Sequence, residues 1–93
     1  MTDITITDNE FQQFIIYAER YAIGRMTYVP SKVNNIILKY LPFIANNTLG
    51  VLILDIELEA DRDMLGMDCD KKMWLALLDT LKNERDRRKS END

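Results

Sequence analysis

The sequence predicts an all-α fold, a compact bundle of about four helices with a short extended N-terminal lead-in. Apolar residues recur at intervals of three and four along most of the chain, which is the spacing of one face of a helix. Residues typical of turns separate these segments, and the composition of 46% apolar and 30% charged residues is that of a globular protein. We therefore expect a single helical domain over residues 1–88 and a disordered tail over residues 89–93.

The first helix is predicted to begin after Thr7. Thr7 and Glu10 have the spacing of a capping box, in which each side chain accepts a hydrogen bond from the backbone of the other residue. The preceding residues 4–6 are interpreted as the extended lead-in. Gly24 can adopt the left-handed conformation that ends a helix. The apolar residues with helical spacing in between are Phe11, Phe14, Ile15, Ala18 and Ala22.

The second helix is predicted to begin at Ser31, whose hydroxyl can cap the first free backbone amides. It should end before Pro42, because a proline disfavours helical backbone in the residue that precedes it. The residues that share its apolar face are Val33, Ile36, Ile37 and Tyr40.

The third segment, residues 48–65, fits two patterns. Its residues 51–59 alternate at their end as a strand does, whereas the segment as a whole repeats apolar residues with helical spacing. Its length favours a helix, with residues 46–48 as the preceding turn and cap. A second apolar stripe on the opposite side is typical of a helix that is central or lies at an interface. That stripe consists of Val51, Leu54 and Leu58.

The fourth helix is predicted to follow Gly66, which should end the third helix, with Asp68 or Asp70 as its cap. It should reach about Arg88. Its apolar face consists of Met73, Trp74, Leu77, Leu78 and Leu81.

Charge is distributed unevenly along the chain, although the net charge is only −4. Residues 55–70 contain seven acidic side chains and one basic side chain, whereas residues 71–89 contain seven basic and three acidic ones. Such an asymmetry favours association with charged partners or with a second copy of the chain.

Composition argues against several classes of protein. The chain has no histidine, which is the usual general base and the commonest metal ligand, and its one cysteine, Cys69, has no disulfide partner. Residues 61–66 resemble the start of a calcium-binding loop, but Leu65 and Lys72 stand where ligands are required. We therefore expect no enzyme activity, no cofactor and no metal. No apolar run is long enough for a membrane span and no signal peptide is apparent, so we expect a cytoplasmic protein of a bacterial host cell.

Two groups of side chains are candidate partner-binding surfaces. The first is an acidic group that either imitates nucleic-acid phosphates or is simply a solvated face. The second is a group around the connection after the first helix, which can grip a phosphate, a carboxylate or a partner protein. Alternatively, in that second group, Tyr28 fills the core and Arg25 pairs with the last carbonyls of the first helix. The acidic group is Asp55, Glu57, Glu59, Asp61 and Asp63, and the second group is Arg20, Arg25, Thr27 and Tyr28.

Three segments within residues 21–74 give the chain a resemblance to small proteins encoded by bacteriophages and prophages. They read YAIGRMTYVPS, NTLGVLILDIE and LGMDCDKKMW. Small phage accessory proteins often block host defence, so the resemblance implies an anti-CRISPR-like inhibitor. The positions to which it extends are Tyr21, Gly24, Arg25, Thr27, Tyr28, Asp55, Glu57, Asp70 and Trp74.

The function expected from the residues and the resemblance together is non-enzymatic inhibition of a host defence protein, for example a CRISPR effector. The inhibitor would bind and occlude a nucleic-acid-binding surface of its target, without binding nucleic acid or a membrane itself. We also expect a homodimer formed through the third or fourth helix. The alternative is a protein that sequesters a small ligand, such as a nucleotide signal, with the loop that contains Arg25.

Overall fold

The computed structural model describes residues 7–25, 29–66 and 68–92, and it confirms the all-α fold. Four helices and one short 3₁₀ turn make up the regular structure of these residues, which include no strand. The segment with the ambiguous pattern, residues 51–59, is helical. The predicted lead-in over residues 4–6 lies outside the described residues. The elements are α1 (Asp8–Ala22), α2 (Val29–Lys39), the 3₁₀ turn (Leu41–Phe43), α3 (Asn46–Asp61) and α4 (Asp68–Asn92).

Helix α1 has the predicted caps at both ends. The backbone amide of Glu10 donates to Thr7 Oγ1, and the backbone amide of Thr7 donates to Glu10 Oε1, both at 3.1 Å. The hydrogen bonds that the Glu10 carboxylate accepts from the Thr7 amide and from the Thr7 hydroxyl lower the pKa of Glu10, because they favour its ionised form. At the other end, Gly24 has a φ of 79°, a left-handed conformation that glycine adopts without strain.

Helix α2 begins two residues earlier than predicted, at Val29 rather than at Ser31. Pro30 therefore lies in the first turn, where its missing amide hydrogen costs nothing. Ser31 is an exposed residue inside the helix and is not its N-cap. The end of α2 at Lys39 agrees with the predicted effect of Pro42, which lies in the 3₁₀ turn.

Helix α3 ends at Asp61, before the predicted Gly66, because Asp63 provides the left-handed residue with a φ of 55°. The Asp63 amide donates to the Ala60 carbonyl at 3.1 Å, and the Met64 amide donates to the Glu59 carbonyl at 2.9 Å. This pair of bonds is a Schellman motif, which satisfies the last carbonyls of a helix. Gly66 has a φ of 94° but lies in the connection that follows.

Helix α4 continues through residues 89–92, where the sequence predicted a disordered tail. Arg87 stabilises this extension, because its guanidinium pairs with Glu84 at 2.7 Å and with Glu91 at 2.6 Å. Such pairs at three and four residues join neighbouring positions on the helix surface.

The four helices alternate in direction, and α3 packs between α1 and α4. Contacts of Gln12 with Ala45, and of Arg20 with Asp55, show that α1 and α3 are parallel neighbours. Helix α2 packs against α1 and α4 on the other side of the bundle. No helix among the described residues has the length and apolar character needed to cross a membrane. The buried apolar core is Ile15, Ala22, Val33, Ile37, Ile44, Leu49, Leu52, Ile53, Ile56, Leu65, Trp74, Leu77, Leu78 and Leu81.

Two polar side chains fasten the connection between α2 and α3, an arrangement that we call the polar clamp. The side-chain amide of Gln12 donates to the Phe43 carbonyl and accepts from the Ala45 amide, both at 2.9 Å. From α4, Arg88 donates to the carbonyls of Ile44 at 2.6 Å and Leu41 at 3.0 Å. The clamp therefore satisfies the carbonyls of Phe43 and Ile44 and the amide of Ala45, which no helix pairs, and gives the Leu41 carbonyl a second donor besides the Ile44 amide.

Arg88 is itself held in place by Glu84. Arg88 Nε lies 2.7 Å from Glu84 Oε2, and the two side chains are only 15% and 12% exposed. Hydrogen bonds from Arg87 and Arg88 lower the pKa of Glu84 to about 2. Arg88 therefore connects two distant parts of the chain.

Candidate functional site: an acidic cleft between α1 and α3

The predicted acidic group lies on two flanks of α3 and on the turn that follows it. Asp55 faces α1, where it accepts from Arg20 Nε at 2.9 Å. Glu57 faces α4, with Lys82 at 3.8 Å. The two flanks therefore contribute to different surfaces of the bundle.

Most of the acidic group is paired with cations inside the molecule. Besides the pairs of Asp55 and Glu57, Glu59 lies 3.6 Å from Arg62, and Asp63 lies 3.0 Å from Lys71. Asp61 is exposed. Exposed pairs add little to stability, but each one reduces the negative field that the carboxylate would otherwise project.

A cleft of about 320 Å³ lies between α1 and α3. The Arg20–Asp55 ion pair forms part of its wall, and the other described residues that line it are Glu59 and Ile23. The Asp55 side chain is 20% exposed and the Arg20 side chain is 56% exposed. The cleft therefore has charged walls that are only partly open to water. We call it the acidic cleft.

Glu19 is completely buried beside this cleft, and sequence analysis did not identify it. Its relative exposure is 0%, and neither of its carboxyl oxygens has a hydrogen-bond partner among the described residues. The helical spacing from Ile15 and Ala22, which are both core residues, is the signal that indicates burial. Since a buried polar group normally has a partner, an unpaired carboxyl needs an explanation.

Burial and the neighbouring acids keep Glu19 protonated at neutral pH. Burial is the largest cause, and Asp55 adds to it as a nearby acceptor and as a like charge, so that the pKa of Glu19 rises to about 9. Arg20 opposes the shift and Glu59 adds to it weakly.

The acidic cleft thus combines a neutral buried carboxyl, two further carboxylates and one arginine. Such a set can bind a cationic group, and Glu19 can release a proton when a positive charge approaches it. Among the described residues, no three acidic or thiol side chains are arranged to hold a metal ion.

The second predicted group is only partly described. Thr27 and Tyr28 lie outside the described residues. Arg25 is exposed, donates from Nε to the Tyr21 carbonyl, and places its guanidinium 4.0 Å from the centre of the Tyr21 ring. Arg25 therefore pairs with a carbonyl at the end of the first helix, which was the alternative that the sequence left open. Arg20, the remaining member, belongs to the acidic cleft.

Large apolar side chains are exposed around the cleft. Tyr17 lies one helical turn before Arg20 and is 66% exposed, and Leu58 lies one turn after Asp55 and is 44% exposed. Leu54 is 67% exposed, which confirms that α3 carries an apolar stripe away from the core. Phe14 and Tyr21, at 52% and 58%, extend the exposed aromatic row of α1. We call this surface the α1–α3 face.

No protein-family model, curated protein or solved structure matches this chain.

Proposed function

We propose that this domain is a non-enzymatic binding protein that covers a functional surface of a partner protein with its α1–α3 face. The single observation that carries the proposal is the exposure of five large apolar side chains on two neighbouring helices. Exposed apolar patches on soluble proteins often mark sites of protein–protein interaction. Aromatic residues such as Tyr17 and Tyr21 are also enriched in the buried centres of protein interfaces.

The class of partner that we propose is a host defence protein, such as a CRISPR effector, in keeping with the resemblance to small phage proteins. Such effectors hold nucleic acid in positively charged channels. The α1–α3 face would provide the apolar contact, and the acids along α3 would meet basic groups of the channel. Because four of these acids are already paired inside the molecule, apolar burial rather than charge would supply most of the affinity.

Substitutions at one exposed leucine test this proposal. Leu58→Lys should weaken binding roughly 10- to 100-fold, because it places a charge at the centre of the apolar contact. The matched control is Leu38→Lys on α2, where the leucine is exposed to a similar degree, 42% against 44%. Helix α2 lies across the bundle from α3, so this control should bind as the wild type does.

The measurement is inhibition of DNA cleavage by a panel of purified CRISPR effector complexes, with the wild-type protein, Leu58→Lys and Leu38→Lys compared. Selective loss of inhibition in Leu58→Lys supports the proposal. Inhibition that both variants retain would reject the α1–α3 face as the binding surface. Absence of inhibition by the wild type across the panel would reject a CRISPR effector as the partner.

The alternative function is sequestration of a nucleotide by Arg25, and the same protein preparation can test it. Its guanidinium already contacts Tyr21 through both the carbonyl and the ring, which leaves fewer donors for a phosphate. Native mass spectrometry of the purified protein would reveal a retained nucleotide as an added mass. An Arg25→Ala variant that lacks this added mass would favour sequestration over inhibition.

A further inference from the structure

We propose that the acidic cleft is a binding pocket for one cationic side chain, arginine or lysine, that the partner protein presents. This inference rests on the proposed function, since it names the chemistry of the partner where it meets the α1–α3 face. Four observations support it: the unpaired buried carboxyl, the charge balance, the size of the cleft and its apolar rim.

The unpaired carboxyl of Glu19 is the first observation. It is fully buried, and both of its oxygens lack partners among the described residues. Glu19 directly precedes Arg20 and lies one helical turn before Ile23, and both of those residues line the cleft. Glu19 is therefore next to the cleft, and a cation in the cleft would provide the partner that Glu19 lacks.

The charge balance of the cleft is the second observation. The cleft offers the carboxylates of Asp55 and Glu59 and, beside them, the neutral carboxyl of Glu19, whereas Arg20 is the one cation among its described lining residues. Within the described residues, Arg20 donates from Nε to one oxygen of Asp55. Glu59 pairs with Arg62 at 3.6 Å, and the Arg62 side chain is 63% exposed. The cleft therefore has acceptor capacity for a second positive charge.

Size and surroundings determine which cation fits. A volume of about 320 Å³ is at the lower end of the range for ligand pockets, which suits one side chain better than a nucleotide. Ile23 in the lining, and Tyr17 one turn before Arg20, offer apolar surface to the methylene groups of an arginine or lysine. Acidic walls exclude a phosphate or carboxylate ligand, because like charges repel.

Binding of the cation would ionise Glu19. The O–H bond of its carboxyl breaks, the proton passes to the solvent, and the carboxylate forms an ion pair with the incoming group. The charged groups that act on Glu19 are Arg20 on its own helix and Asp55 and Glu59 on α3. Since an added positive charge favours the ionised carboxyl, binding and proton release are coupled.

A titration with an arginine mimic tests the pocket without any partner protein. The probe is N-acetyl-arginine methylamide, and the matched control probe is the corresponding citrulline derivative, which has similar size and no charge. We expect the arginine probe to shift the NMR signals of backbone amides in residues 19–23 and 55–59, with saturation at millimolar concentrations, on the order expected for so small a ligand. The citrulline probe should leave these signals unchanged.

Variants locate the binding to the cleft. Glu19→Gln keeps the shape of the side chain but cannot ionise, and it should weaken the arginine probe roughly tenfold or more. Glu57→Gln, on the opposite flank of α3, is the control and should bind normally. If Glu19→Gln does not fold, Glu59→Gln is the variant to test instead. It removes one negative charge from the wall of the cleft and should also weaken binding of the arginine probe.

Three results would overturn the inference: no saturable shift with the arginine probe, equal shifts with both probes, or undiminished binding by Glu19→Gln. The test of the pocket and the test of the proposed function can give different results. Saturable binding of the probe without inhibition of any effector would retain the pocket and reject the proposed partner class. Inhibition of an effector without binding of the probe would retain the function and reject the pocket.

Discussion

The two ends of the bundle differ in whether their buried polar groups have hydrogen-bond partners. At the polar clamp, Gln12 and Arg88 pair the backbone groups of the connection between α2 and α3. At the acidic cleft, Glu19 is buried and has no hydrogen-bond partner among the described residues, and the same holds for the buried Nε1 of Trp74 in the first half of α4. The difference indicates that one end is built for stability, whereas the other end carries groups that stability alone does not explain.

The same difference predicts opposite responses to pH. The carboxyl of Glu84, at the clamp, has a lowered pKa, and the carboxyl of Glu19, at the cleft, has a raised pKa. The free energy of unfolding should therefore fall in acid, where Glu84 becomes protonated, and should also fall as the pH rises and Glu19 is forced to ionise.

The largest expected effect is the dependence of stability on pH caused by Glu19. Its pKa is about 9 in the folded chain and 4.5 in the unfolded chain, so the folded chain holds the proton between these values while the unfolded chain has lost it. Raising the pH through this window therefore favours unfolding, by up to about 1.4 kcal/mol per pH unit.

Glu19→Gln should remove this dependence. Between pH 5 and pH 8, its advantage over the wild type should grow by about 4 kcal/mol, as measured by urea denaturation at each pH. Parallel pH profiles for the two proteins would show that Glu19 is not buried in its neutral form.

The second prediction concerns the clamp. Arg88→Met should lower the free energy of unfolding by about 3 kcal/mol, because the Ile44 carbonyl loses its donor and the largely buried Glu84 loses one of its two arginine partners. The control is Arg85→Met on the same helix, where Arg85 is paired only with the exposed Asp86 among the pairs described, and a change within about 0.5 kcal/mol is expected. Equal losses in the two variants would contradict the clamp.

Acid titration gives this prediction a second measurement. Because the pKa of Glu84 is about 2 in the folded chain against 4.5 in the unfolded chain, its stabilising contribution is complete above pH 4.5 and is lost as the pH falls towards 2. The wild type should therefore lose stability more steeply than Glu84→Gln over this acid range.

The third prediction tests how closely the backbone packs at the cleft end. A Cβ atom on Gly24 would meet the Met64 carbonyl oxygen at 3.2 Å, and the φ of 79° is unfavourable for alanine. Gly24→Ala should therefore destabilise the protein by about 1–2 kcal/mol. Gly50→Ala is the control: its Cβ has open space within α3, so it should stabilise the protein by about 0.5–1 kcal/mol. Thermal unfolding of the two variants checks both signs.

The smallest expected effect is at Asp63, the left-handed residue of the Schellman motif. Asp63→Gly should stabilise the protein by about 0.5 kcal/mol, because glycine adopts this backbone conformation without strain. The substitution also removes the pair with Lys71, but the Asp63 side chain is 81% exposed and that pair contributes little. A lower thermal midpoint for Asp63→Gly would mean that the pair with Lys71 outweighs the backbone strain.

Local patterns in the sequence predicted much of the fold. The capping box of Thr7 and Glu10, the role of Gly24 and the helical nature of residues 51–59 are all confirmed, and Trp74 lies in the core. Each of these features depends on residues a few positions apart. The incorrect cap at Ser31 has a local cause as well, since Pro30 fits the first turn of a helix and allows α2 to begin earlier.

The candidate site was predicted less well, because its residues meet across long stretches of sequence. Arg20 and Asp55 were identified as separate candidates, but the sequence did not indicate that they pair over 35 positions. Glu19 was missed because a charged residue on an apolar face is normally interpreted as exposed. The role of Arg88 was missed because its partners lie 42 to 47 positions away.

The long sequence separation between Arg88 and its hydrogen-bond partners also affects the kinetics of folding. The helices themselves form from local contacts, whereas a contact that closes 44 residues of chain requires a loop closure that costs entropy before any bond is gained. The clamp should therefore form late in folding, after the helices have collapsed together. Contacts made after the transition state govern how fast a protein unfolds rather than how fast it folds, so loss of Arg88 should mainly shorten the lifetime of the native state.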